Sequence, residues 1–62
     1  MSQFLLLGNN KAIKFRYIEG VTVYNNEVTV YTTHNHYTVY YQSREIAQAE
    51  YVAILKKIEE SS

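Results

Sequence analysis

The residues able to do chemistry are few, and their spacing excludes most of it. His34-Asn35-His36 is the one metal-like spacing in the chain, and cysteine is absent. Two imidazoles fall short of the three or four protein ligands that zinc normally takes. In the alternating pattern around them, His34 falls in a turn and His36 on the outer face of the sheet, so the pair does not converge and no metal site is assigned. Aspartate is also absent, and the only glycines, Gly8 and Gly20, make no phosphate-cradling loop. Ser43 precedes a helical stretch, where its hydroxyl serves as a cap rather than a nucleophile. Glu45, Glu50, Glu59 and Glu60 fall on the exposed side or the end of that helix, and Glu19 and Glu27 fall in turns. No carboxylate is placed to orient either histidine. No catalytic residue and no cofactor is assigned, and the chain is expected not to be an enzyme.

The remaining chemistry is that of a surface. Seven tyrosines stand at positions 17, 24, 31, 37, 40, 41 and 51, several of them alternating with valine and threonine. Both tyrosine and threonine are strong strand formers, which by itself accounts for the pattern. A tyrosine ring also offers a large apolar contact area with a polar tip at low entropic cost, as protein interfaces use it. The same ring stacks on a nucleobase in sheet-faced single-strand binders. The candidate binding face comprises Tyr24, Tyr31, Tyr40, Thr29 and Thr38, joined by Thr22 and Thr33, with Lys14 and Arg16 alongside. A nucleic-acid surface wants several cations around its rings, and only Lys14 and Arg16 qualify, so protein contact is the first reading and nucleic acid or nucleotide the alternative.

The elements that must position this face follow from periodicity. Gly8-Asn9-Asn10, Glu19-Gly20, Asn25-Asn26, His34-Asn35 and Gln42-Ser43 read as turns. Between them the pattern predicts strands over about 3–7, 11–18, 21–24, 27–33 and 36–41. With Asn25-Asn26 as a two-residue turn taking positive φ at both positions, Val23 pairs with Val28, Thr22 with Thr29 and Val21 with Val30. The valines then share one face and the threonines the other, and a one-residue slip would destroy that sorting. With His34-Asn35 as the next turn, Val30 pairs with Val39, Val28 with Tyr41 and Tyr31 with Thr38. Past Ser43 the period becomes helical over about 44–59. Glu45 lies in the first turn and Lys56-Lys57 near the far end, complementing the helix dipole. Ala47, Tyr51, Ile54, Leu55 and Ile58 form the core-facing stripe, with Val52 anomalously opposite.

The fold class expected is α+β: a four- or five-stranded antiparallel meander packed on one C-terminal helix, as a single domain over 1–62. The alternation in Tyr17-Ile18, Val21-Thr22-Val23, Val28-Thr29-Val30 and Tyr37-Thr38-Val39, followed by Ser43-Arg44-Glu45, is similar to short bacterial and phage proteins built as a meander plus helix. That likeness carries over no functional residue. Apolar residues make up 47% of the chain, which is globular usage, and six basic residues balance six acidic ones, which argues against a protein devoted to a phosphate backbone. No apolar run approaches the roughly 20 residues that cross a bilayer, and Met1-Ser2-Gln3 supplies no charged leader, so a cytoplasmic protein without membrane contact is expected.

Function is expected to be that of a small interaction module, of the accessory or inhibitor kind found in bacteria and phages, which binds, occludes or sequesters a partner. The chain is also expected to associate with itself, as a homodimer or higher oligomer. A core this small supplies little stability unaided, and disulfides are excluded. Phe4-Leu5-Leu6-Leu7, apolar on both faces, and the tyrosines are the surfaces a second copy would cover.

Overall fold

A computed structural model describes residues 3–8 and 11–61. The fold is α+β, with five strands in two antiparallel sheets and one C-terminal helix. Strands β1 (Phe4–Leu7) and β2 (Lys11–Lys14) form a hairpin; β3 (Ile18–Tyr24), β4 (Glu27–Thr32) and β5 (His36–Tyr40) form a three-stranded sheet in sequence order; α1 spans Arg44–Ser61. The expected turn residues Asn9 and Asn10 lie outside the described residues; Gly8, which leads into that turn, has φ +64°, where a side chain is strained.

The β3–β4 hairpin has the register that the valine and threonine sorting demands: Val23 opposite Val28, Thr22 opposite Thr29, Val21 opposite Val30. Its turn differs from expectation in one respect. Among the described residues only Asn25 is a non-glycine with positive φ, at 54°, the pattern of a type II′ rather than a type I′ turn.

The β4–β5 hairpin is displaced by two residues from the expected pairing. Val28 lies opposite Val39, Thr29 opposite Thr38, Val30 opposite Tyr37 and Tyr31 opposite His36. The cause is the Thr32 hydroxyl. It accepts the Asn35 N–H at 3.1 Å and donates to the Asn35 carbonyl at 2.8 Å, while the Thr32 N–H donates to the same carbonyl at 2.7 Å. These bonds close the turn around Thr33-His34, one residue earlier than His34-Asn35. Because the shift is even, every side chain keeps its face.

The predicted strand 11–18 is two pieces joined by a corner. A single 3-10 turn at Phe15–Tyr17 separates β2 from β3. The Phe15 N–H bonds to the Gln3 carbonyl at 3.1 Å, closing the first hairpin, and the Thr33 N–H bonds to the Tyr17 carbonyl at 3.1 Å, extending the second sheet. Glu19-Gly20, expected as a turn, is instead an irregularity within β3, where pairing jumps from Ile18–Thr32 to Gly20–Tyr31. The corner has a packing reason. A straight strand would carry Leu5, Leu7 and Ile13 beyond the reach of the valine face; bending folds the hairpin back over it. These three residues are buried in one cluster with Val28, Val30, Ala47 and Ile54.

The result is two layers. The three-stranded sheet forms one. The other is shared by α1, which lies over β3 and β4, and by the β1–β2 hairpin, which reaches β5: Lys11 Nζ stands 5.0 Å from the centre of the Tyr37 ring. Val21, Val23, Val39, Tyr51 and Ile58 pack half-buried around the cluster; Leu55, assigned to the core stripe, is exposed, as is Val52. The Ile46 N–H donates to Ser43 Oγ at 3.2 Å, so Ser43 caps α1 as expected. The helix runs about two residues further than expected, leaving Lys56-Lys57 short of its last turn. Among the described residues no helix is long and apolar enough to cross a membrane.

Candidate interaction surface

Pleating turns alternate residues of each strand away from the core. The pairings arrange those outward residues as a three-by-three grid. Gly20, Tyr31 and His36 form one row across the sheet; Thr22, Thr29 and Thr38 form the middle row; Tyr24, Glu27 and Tyr40 form the third. Among the described residues no element packs on this side. Tyr24 is 73% exposed and Tyr40 69%, while Tyr31 retains 43%.

The grid has internal order. Thr29 Oγ1 and Thr38 Oγ1 share a hydrogen bond of 3.0 Å at its centre, which ties β4 to β5 on the outer side. The Tyr31 and His36 rings lie 5.9 Å apart between centroids, tilted by 39°. Gly20 carries no side chain and leaves the β3 end of its row open: a Cβ built there would meet nothing within 4 Å. Two ridges of long side chains thus flank a shallow threonine channel, with Gly20 as a notch at the end of one ridge.

Six of the nine expected face residues, Tyr24, Tyr31, Tyr40, Thr22, Thr29 and Thr38, share this surface. Lys14 and Arg16 do not. Lys14 belongs to β2, with Nζ 6.0 Å from the Phe4 ring centre, and Arg16 sits in the 3-10 turn. Their alternation with Ile13 and Phe15 suggested a continuous sheet, and the corner at Phe15 removes them from it. Thr33 is likewise off the face, because it lies in the β4–β5 turn. His36 lies on the face, where the strand pattern puts it, and Glu27 is a face residue that the pattern missed. Glu27 was read as a turn residue, although a two-residue turn at Asn25-Asn26 leaves it opposite Tyr24; His36 follows from parity along β5. His34, by contrast, lines a cleft beside Lys14, Ile13 and Tyr37, so the two imidazoles serve different surfaces.

Electrostatically the face is nearly neutral. None of its nine positions is lysine or arginine, and Glu27 is its one carboxylate. Among the described residues no group of three or more His, Cys, Asp or Glu gathers to hold a metal. Set against protein-family models, curated proteins and solved structures, the chain matches none.

Proposed function

We propose that this protein is a non-enzymatic interaction module that binds another protein surface through the outer face of its three-stranded sheet and acts by occupying that surface. The observation that carries the reading is the asymmetry of one sheet. Its inner face is covered by both a helix and a hairpin; its outer face holds Tyr24, Tyr31 and Tyr40 in the open around a short threonine row. Tyrosine-rich, weakly charged surfaces with a polar rim are what protein contacts favour. The absence of lysine and arginine from the grid removes the support that a phosphate backbone would need, and Glu27 opposes one.

The test places a photo-crosslinking aromatic amino acid at Tyr40 and, as a control, at Val52 on the exposed side of α1, in cells of the source organism. Protein adducts at position 40 that are missing at position 52 support the reading. Adducts to nucleic acid at position 40, with binding that weakens steeply as salt rises, would replace it with the alternative.

A further inference from the structure

The grid is self-complementary under one particular two-fold rotation, and we propose that the partner it accepts is a second copy of this chain. The inference rests on the reading of the outer face as a protein-contact surface and names its occupant. Two sheets stacked face to face are related by a two-fold axis lying between them, and there are two aligned ways to place it.

With the axis along the strands, each row meets itself. Glu27 then lies directly over the partner's Glu27, and Tyr31 over its own counterpart. Two like charges are brought face to face on the axis of the contact, which disfavours that arrangement.

With the axis across the strands, along the Thr22–Thr29–Thr38 row, each strand meets itself and the first row meets the third. Tyr24 of one copy then enters the notch at Gly20 of the other, where an added Cβ would meet nothing within 4 Å. The Tyr31 hydroxyl faces a Glu27 carboxylate, its natural acceptor. His36 faces the Tyr40 ring. Each of these juxtapositions occurs twice. The two glutamates are held apart by the distance between rows three and one, roughly 13–14 Å along the strands. Sheets stacked about 10 Å apart leave the threonine rows facing each other across a gap suited to bridging water.

The size of the contact sets its class. Strands about 4.8 Å apart and rows about 6.8 Å apart give each copy a flat footprint of roughly 300 Å². Side-chain relief brings the total buried by both copies to the order of 1,000 Å², the lower end of specific interfaces, where weak and reversible association is found.

A complementary-variant experiment tests the pairing. Gly20→Tyr fills the notch, and Tyr24→Gly removes the ring that occupies it. Gly20 has no positive φ and open space above it, so the monomer accommodates a side chain there. In sedimentation equilibrium each variant alone is expected to self-associate at least about tenfold more weakly than the wild type. An equimolar mixture is expected to recover wild-type association, because a heterodimer of the two restores both ring-into-notch contacts. Should either variant fold poorly, the chain carrying both changes makes the same contacts in reverse and is expected to dimerise. A 7.3 kDa wild-type monomer at about 200 μM would overturn the self-pairing while leaving the crosslinking result at Tyr40 to decide on a foreign partner. A dimer indifferent to both variants but dissociated by Leu6→Glu would overturn the sheet face as the self-contact.

Discussion

Asn26 grips the end of β5 through both its backbone and its side chain: the Tyr41 N–H donates to the Asn26 carbonyl at 2.8 Å, and Asn26 Nδ2 donates to the Tyr41 carbonyl at 2.8 Å. One turn residue thereby fixes where the sheet stops and the connection to α1 begins, and it fixes Tyr40, the neighbouring outward ring. Asn26→Ala removes the side-chain bond and is expected to cost about 1 kcal/mol in urea denaturation. Asn26→Asp replaces an amide donor with a carboxylate facing a carbonyl and is expected to cost more than the alanine change. An alanine variant as stable as the parent would show that the side-chain bond contributes nothing.

Asn25 is the other half of that turn. Its φ of 54° is left-handed, which asparagine tolerates and glycine adopts freely. Asn25→Gly is expected to leave the melting temperature unchanged or raise it slightly, whereas Asn25→Val is expected to cost about 1–2 kcal/mol. Equal melting of the two variants would contradict the turn geometry.

The hairpin β1–β2 is part of the core, so neighbouring leucines along it differ sharply. Leu5 is fully buried, while Leu6 is largely exposed on the other side of the same strand. Leu5→Ala is expected to destabilise by roughly 2–5 kcal/mol, a large part of what so small a domain has, and Leu6→Ala by less than about 0.5 kcal/mol. Chemical denaturation with a common slope decides the comparison.

Tyr41 gives the fold an alkaline limit. Burial foremost, and the Glu50 carboxylate second, raise its phenol above the ordinary 10.0. The folded state therefore keeps the proton after the unfolded state has released it. The stabilisation is fully present below the unfolded value near 10 and is lost as pH rises towards the folded value. Tyr41→Phe has no proton to lose, so its stability is expected to decline less between about pH 9.5 and 11 than that of the parent. Parallel declines in the two proteins would refute this.

The sheet's two faces were legible because side-chain alternation has a period of two and survives an even register error. The β4–β5 pairing was misjudged by two residues, since nothing in a propensity scale says that Thr32 will capture Asn35, yet Thr29, Thr38, Tyr31 and Tyr40 stayed on the correct side. The corner at Phe15–Tyr17 was not legible. Ile13, Phe15 and Tyr17 keep strand alternation straight through it, and the bend serves a tertiary need, the burial of Leu5 and Leu7, that local pattern does not express. That same corner took Lys14 and Arg16 off the binding face and left Glu27 as its one carboxylate, with no lysine or arginine.

Tyrosine reactivity tests the outer face as a contact surface most directly. Tyr17 is 49% exposed but lies off the grid, in the 3-10 turn, and serves as an internal control. The purified, dilute protein is modified with a tyrosine-selective reagent and compared with the protein in a native extract of its source cells, with each site read by mass spectrometry. The expected result is that Tyr24, Tyr31 and Tyr40 lose reactivity in the extract while Tyr17 keeps it. Unchanged reactivity of the three grid tyrosines, under conditions where Tyr17 is equally modified in both samples, would show that the face remains uncovered and would contradict its assignment as a binding surface.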